Sequence, residues 1–213
     1  ITDLNLDYNI DYRKLYIVNS SSLKSINVKA TDDIYSDKIN VENNSELESF
    51  TYTNSDYLSL SFFNCNKLSS IKASADTFAF NYEKISNLKR LDISSIYYDV
   101  DISGLENLSW TKFRIGQYSK LTLHNLDNLD SLMLEGASAG IINMYDLPNL
   151  SYLKVAYFGG TPGCNNINNI TDLSIKDLPS LKELYIDGFC ANNLSLANLP
   201  SIETLKFNTI NFG

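Results

Sequence analysis

The chain has 213 residues, a formal net charge of −8, and hydrophobic residues at 44% of its positions. That composition is too apolar for a disordered segment, and a pI of about 4.6 argues against nucleic-acid binding, which needs a basic surface. Apolar runs are only a few residues long, so we predict no membrane-spanning segment and no signal peptide within this sequence. The 26 asparagines and 14 tyrosines, against 9 alanines, favour turns and strands over helices.

Residues that could support catalysis or bind a metal are few. His124 is the only histidine in the sequence, and no closely spaced cysteine pair accompanies it. A catalytic triad or a zinc site would have to include this one residue. The sequence also lacks the glycine-rich motifs that bind phosphates. We therefore predict that the protein is not an enzyme and has no cofactor or metal, and that His124 is exposed to solvent without a role.

A repeat of about 21 residues runs through the chain. Its clearest copies are LSIKDLPSLKELYI, from Leu173, and LSLANLPSIETLKF, from Leu194, which share the pattern L-x-L-x-x-L-p-x-L-x-x-L-x-L. We number each copy from its fourth apolar position, the anchor, so that the other apolar positions are −8, −6, −3, +3 and +5. A partial copy starts at Ile1, and the anchors are then Leu23, Leu47, Leu68, Leu88, Leu108, Leu129, Leu150, Leu181 and Ile202.

Each copy predicts one coil of a solenoid that contains two strands. The alternation at −8 and −6 is too short for a helix, and the alternation at +3 and +5 predicts the second strand. A proline at −2 in three copies (Pro148, Pro179 and Pro200) fits a corner between the strands, where no ladder N–H is needed. We predict a mostly β solenoid of about ten 20–24-residue coils, with parallel sheets and little helix, as a single domain over residues 1–213 of a longer chain.

The L-x-x-L-x-L half of the pattern resembles the strand motif of leucine-rich repeats, whose period of roughly 20–29 residues includes this spacing. The chain is most similar to bacterial cell-surface leucine-rich repeats, of the internalin type or of the type found in surface antigens of gut and oral bacteria. This resemblance implies that the +2 to +6 strands form a concave sheet and that short strands form the convex side. The family's asparagine at +8 is missing, so we expect no asparagine ladder at that position and a different feature at the turn after the strand.

The outward positions of the predicted concave strands indicate a binding surface. They are small and polar in the first copies, whereas from Leu88 onward they become aromatic and basic, as at interface hot spots. We expect a locally basic patch there, although aromatic residues that only pair across strands are the alternative. The predicted ligand-binding patch contains Arg90, Trp110, Lys112, Arg114, Met133, Tyr152, Lys154, Tyr157 and Tyr185.

One coil is about ten residues longer than its neighbours. The additional segment, Gly159–Asn169, is rich in turn residues and predicts an edge loop, which either contributes to binding or is a tolerated insertion. Cys164 lies in this segment and Cys190 lies at the same edge of the next coil, so we predict a disulfide between them. Free thiols in a reducing compartment are the alternative. Cys65, at −3, is predicted to be a buried apolar residue.

The resemblance to bacterial cell-surface leucine-rich repeats implies a secreted or cell-surface bacterial adhesion module, and the outward residues indicate that it binds a protein or a glycan on its concave face. No nucleic-acid partner and no membrane insertion are expected, and the signal and anchor are expected outside this segment. The alternative is an intracellular scaffold or a structural spacer with no ligand of its own. The last coil has no polar cap, since Ile210 and Phe212 begin a further copy, so we also predict edge-to-edge pairing of two chains there.

Overall fold

The computed structural model describes residues 1–8, 13–30, 37–53, 57–74, 77–96, 99–115, 119–136, 139–156 and 170–212. All the regular elements within these ranges are strands. In chain order they are β1 (Asp3–Tyr8), β2 (Arg13–Val18), β3 (Ser25–Ala30), β4 (Asp37–Glu42), β5 (Ser49–Thr53), β6 (Tyr57–Phe63), β7 (Ser70–Ser74), β8 (Thr77–Glu83), β9 (Arg90–Ile96), β10 (Val100–Ser103), β11 (Trp110–Ile115), β12 (Ser119–His124), β13 (Ser131–Glu135), β14 (Ala139–Tyr145), β15 (Tyr152–Ala156), β16 (Ile170–Lys176), β17 (Glu183–Ala197) and β18 (Thr204–Phe212).

The chain divides into two compact units, residues 1–95 and residues 96–213. In the first unit, β1, β3, β5, β7 and β9 form a parallel sheet that we call the front sheet, because its strands follow the anchors. The parallel back sheet of that unit contains β2, β4, β6 and β8, which precede the anchors.

The second unit repeats this plan. Its front sheet contains β11, β13, β15, the first part of β17, and β18. Its back sheet contains β10, β12, β14, β16 and the second part of β17. Strand β17 therefore passes from the front sheet into the back sheet without a break.

These parallel coils confirm the predicted class, a mostly β solenoid. We count one complete turn for each step from one back strand to the next. Among the described residues the first unit has three such turns and the second has four, about 7 in all. This count is lower than the predicted ten, because copies at the ends of a unit contribute a front strand without closing another turn. The single domain over residues 1–213 stays a prediction.

The register between strands follows the repeat. Residues with the same position number lie opposite each other, as Thr51 and Lys72 do at +4. The long coil preserves this register, because Tyr152 lies opposite Glu183 across a step of 31 residues. Since side chains alternate between the two faces of a strand, +3 and +5 point inward and +2, +4 and +6 point outward.

The inward positions form the interior of each unit, where the anchors from Leu47 to Leu181 are fully buried. In the first unit the interior is partly aromatic, and Phe62 packs edge-on against Phe50 and Phe80. At the last described coil the inward side chains are more accessible, with Phe207 40% exposed. Pairing of that coil with a second chain stays a prediction.

Each back strand is followed by a residue with a left-handed backbone, always four positions before the anchor. The φ angle there lies between 51° and 66° in every copy. Asparagine, aspartate and glycine accept this conformation most readily, and they occupy eight of these nine positions, with Lys84 as the ninth. The nine residues are Asn19, Asn43, Asn64, Lys84, Gly104, Asn125, Asp146, Asp177 and Asn198.

The corner is completed by a turn from −3 to the anchor. In that turn the anchor N–H donates a hydrogen bond to the −3 carbonyl, as from Leu129 to Leu126 at 3.1 Å. The prolines at −2 occupy the second residue of this turn, a position that suits their fixed φ. The predicted proline corner between the two strands is therefore confirmed.

Asparagine ladders are present, at positions other than +8. At −4, Asn43 Nδ2 donates to Asn19 Oδ1 at 3.1 Å, and Asn64 Nδ2 donates to Asn43 Oδ1 at 2.9 Å. At −1, Asn149 Nδ2 donates to the carbonyl of Asp127 on the preceding coil at 2.7 Å. These amides bridge the coils at the corner before the front strand, away from the +8 position at which no ladder is expected.

Candidate functional site

The candidate site lies on the front sheet of the second unit. Three consecutive strands, β11, β13 and β15, place Trp110, Ser131 and Tyr152 opposite one another at +2. The same strands place Lys112, Met133 and Lys154 opposite one another at +4. All six side chains are intermediate in exposure, as expected for neighbours that stand on the outer face of a sheet.

The structure brings only part of the predicted patch together. Tyr185 joins the residues above because it lies opposite Lys154, and Arg114 is exposed at the end of β11. Arg90 is also exposed, but it belongs to β9 of the first unit. Tyr157 and the predicted disulfide lie outside the described residues, since Cys164 and the side chain of Cys190 are not described.

Two tyrosines and a lysine form a row across the end of this surface. The rings of Tyr152 and Tyr185 have centroids 5.6 Å apart at an interplanar angle of 38°. Lys206 Nζ lies 5.1 Å from the centre of the Tyr185 ring, a cation–π contact. The Tyr185 hydroxyl donates a hydrogen bond to Glu183 Oε2 at 2.9 Å. These contacts restrict the rotamers of both tyrosines.

Glu183 affects the ionisation of both phenols. The pKa of Tyr185 is raised chiefly because its hydroxyl donates a hydrogen bond to Glu183, and burial raises it further. For Tyr152, burial is the largest cause that raises the pKa, and the charge of Glu183 adds to it. Both side chains therefore keep their hydroxyl protons to higher pH in the folded protein than in the unfolded chain.

We expect Glu183→Gln to lower the pKa of Tyr185 clearly and that of Tyr152 less, because the burial of Tyr152 remains. A raised pKa stabilises the folded state below the ordinary tyrosine pKa of about 10, and this stabilisation is lost as the pH rises through the folded-state value. NMR titration of ring-labelled tyrosine measures both values. Glu203→Gln, directly before the neighbouring strand β18, is the control and should change neither pKa. Unchanged values in Glu183→Gln would contradict the assignment.

The surface is less basic than the sequence suggests. Lys112 Nζ forms an ion pair with Glu135 Oε2 at 2.6 Å, so its charge is compensated. Arg114 and Lys154 make no ion pair among the described residues, and they supply the remaining positive charge of the patch. Sequence reasoning missed Glu135 and Glu183, although both stand at outward positions, +6 and +2, of the same strands.

His124, on the back sheet of the second unit, differs from the expectation. Its Nε2 lies 3.0 Å from Asp101 Oδ1, and its Nδ1 lies 2.9 Å from Asn125 Nδ2. The imidazole stacks on the Tyr145 ring with centroids 5.0 Å apart, and only 19% of its side chain is exposed. The expectation of a solvent-exposed His124 was therefore wrong, because the residues on either side hold the ring against the sheet.

The −3 positions of the first unit include two buried residues that can form hydrogen bonds. Cys65 is fully buried and free, as predicted for a small interior residue. Its Sγ lies 3.6 Å from the carbonyl oxygens of Val41 and Phe63, and burial raises the pKa of the thiol. Asn44, also fully buried, bridges two coils through its amide.

Within the described part of the chain, no group of three or more His, Cys, Asp or Glu residues is arranged to hold a metal ion. No helix there is long and apolar enough to cross a membrane. In comparisons with known proteins, no family model, no curated protein and no solved structure matches this chain. The case for a function therefore depends on the geometry of the site.

Proposed function

We propose that the protein is a non-enzymatic binding module that recognises a protein or glycan partner with the front face of its second unit. One observation supports this most strongly: the register of β11, β15 and β17 places Trp110, Tyr152 and Tyr185 on the outer face of one sheet. Partly exposed aromatic side chains beside uncompensated cations are typical of interface hot spots.

The repeat pattern supports a more specific proposal, a leucine-rich repeat protein of the bacterial cell-surface type. The L-x-x-L-x-L motif corresponds to the front strands, with the apolar residues inside and the variable residues outside. On this proposal the protein acts in adhesion or host interaction, at the cell surface or after secretion. The asparagine column at −4, rather than at +8, distinguishes this chain from the typical repeat.

A panel of immobilised extracellular-matrix proteins and glycans tests the binding surface. We expect the double variant Tyr152→Ser/Tyr185→Ser to lose at least about tenfold in affinity for any partner that the wild type binds, because it removes both rings of the patch. Affinities can be measured by biolayer interferometry, with circular dichroism to confirm that the variants fold.

The control is the double variant Ser49→Ala/Ser70→Ala, which changes the same +2 positions on the front sheet of the first unit. It should retain the wild-type affinity. Full binding by the tyrosine variant would exclude this face as the binding surface. If the wild type bound nothing in the panel, the scaffold or spacer alternative would be favoured.

A further inference from the structure

A small residue interrupts the large outward side chains on the front sheet of the second unit. Trp110 on β11 and Tyr152 on β15 stand on either side of β13, and β13 has the small residue Ser131 between them. Met133 lies two residues further along β13. We call the space above Ser131 and Met133, between Trp110 and Tyr152, the β13 slot.

The width of the β13 slot suits a single ring. Neighbouring strands lie about 4.8 Å apart, so the backbones at Trp110 and Tyr152 are separated by about 9.6 Å. Stacked rings have centroids roughly 4.5–7 Å apart, so one ring between two aromatic walls needs about 9 Å or more. The slot can therefore hold one inserted ring, in contact with both walls, and is too narrow for two.

One wall of the slot is held in place by its neighbours. Tyr152 packs on Tyr185, which is in turn held by its hydrogen bond to Glu183 and by Lys206. A wall that is ordered before the ligand arrives reduces the entropy lost on binding.

The chemistry around the slot favours a sugar ring. The face of an aromatic ring is electronegative and attracts the C–H groups on the face of a pyranose. Sugar hydroxyls need hydrogen-bond partners, and the Ser131 hydroxyl stands on β13 between the two walls. A purely apolar group would cover this hydroxyl and replace its hydrogen bond to water with no other partner.

The charge around the slot favours a sugar with one carboxylate. Lys112 is neutralised by Glu135, whereas Lys154 makes no ion pair among the described residues and lies opposite Met133. Glu183 is hydrogen-bonded to Tyr185 beyond the Tyr152 wall, and Arg114 lies four residues along β11 from Trp110. Lys154 is therefore the uncompensated cation nearest the slot among the described residues, and it complements one anion.

We propose that the β13 slot binds one carboxylate-bearing pyranose of an acidic glycan between Trp110 and Tyr152, with Lys154 paired to the carboxylate. The proposal rests on the proposed function and names its ligand class. An aromatic side chain of a partner protein is the competing occupant, and it would make no use of Lys154.

Fluorescence of Trp110 tests the proposal directly, because it is the only tryptophan and forms one wall of the slot. The probes are sialyllactose compared with lactose, and trigalacturonate compared with its methyl ester. We expect a saturable change in emission with at least one acidic probe, and an affinity at least about tenfold weaker for its neutral counterpart. Lys154→Gln should remove this preference, while Tyr152→Ser should weaken binding of both members of the pair.

Ser131→Tyr fills the slot without changing either wall and should abolish the emission response. Ser49→Tyr, at the same repeat position on β5, is the matched control and should leave the response intact. Equal affinity for acidic and neutral probes, or a response that survives Ser131→Tyr, would overturn the proposal.

Failure of this proposal can be told apart from failure of the proposed function. If no acidic probe changes the emission while Tyr152→Ser/Tyr185→Ser still abolishes binding of a protein in the panel, the glycan proposal fails and the binding face stands. If neither effect is seen, both fail.

Discussion

Phe62→Ala is expected to lower the free energy of unfolding by about 4 kcal/mol, the largest effect of any single substitution considered for this protein. Phe62 is 1% exposed at position −6 of β6. Its ring packs edge-on against Phe50 at 5.2 Å and against Phe80 at 6.3 Å. Alanine would remove both aromatic contacts and leave a cavity between the front and back strands of the first unit. Urea unfolding followed by circular dichroism measures the loss.

The neighbouring residue, Phe63, provides the matched control. It lies on the opposite face of the same strand, where its ring contacts Lys84 Nζ at 5.1 Å from its centroid. We expect Phe63→Ala to cost about 1 kcal/mol or less, because only a surface cation–π contact and partial burial are lost. Equal losses from Phe62→Ala and Phe63→Ala would contradict the alternation of faces in β6.

Asn44→Leu is expected to destabilise the protein by about 3 kcal/mol, although leucine is the common residue at −3 in the later copies. Asn44 is fully buried, and its Nδ2 donates to the carbonyls of Ile17 at 2.7 Å and Glu42 at 3.0 Å. Its Oδ1 accepts a hydrogen bond from the Ser20 N–H at 3.1 Å. Leucine cannot replace these bonds, and water does not reach the site to replace them.

This expectation is opposite in sign to one based on the repeat consensus, which would predict stabilisation. Ile85→Leu, at the same repeat position, is the control and should cost less than about 1.5 kcal/mol, because it keeps the volume and breaks no side-chain hydrogen bond. A variant Asn44→Leu as stable as the wild type would show that the amide bridges contribute nothing to the packing of these coils.

The sequence could predict the coils and their register because the spacing of apolar residues repeats at every anchor. The alternation at +3 and +5 directly predicts that Leu132 and Leu134 are buried and that Ser131 and Met133 lie on the outer face. The same periodicity predicted that Trp110 and Tyr152 would share a face.

Other features depend on contacts between coils that a search for apolar residues ignores. The −4 column of asparagine, aspartate and glycine was present in the sequence, but only the positive φ angles show why those residues are needed. Asn44 is a departure from the consensus, and its partners become evident only when Ile17 and Ser20 lie beside it. The pairing of Lys112 with Glu135 likewise depends on strand register and side-chain rotamer.

Interstrand nuclear Overhauser effects around Trp110, Ser131 and Tyr152 test most directly whether the binding face is built as described. The parallel register predicts contacts between the backbone protons around Trp110 and those around Ser131, and between those around Ser131 and those around Tyr152. These contacts could instead be absent, or shifted by one residue so that Leu153 took the place of Tyr152 and the Tyr152 ring pointed inward. That result would contradict both the fold and the site.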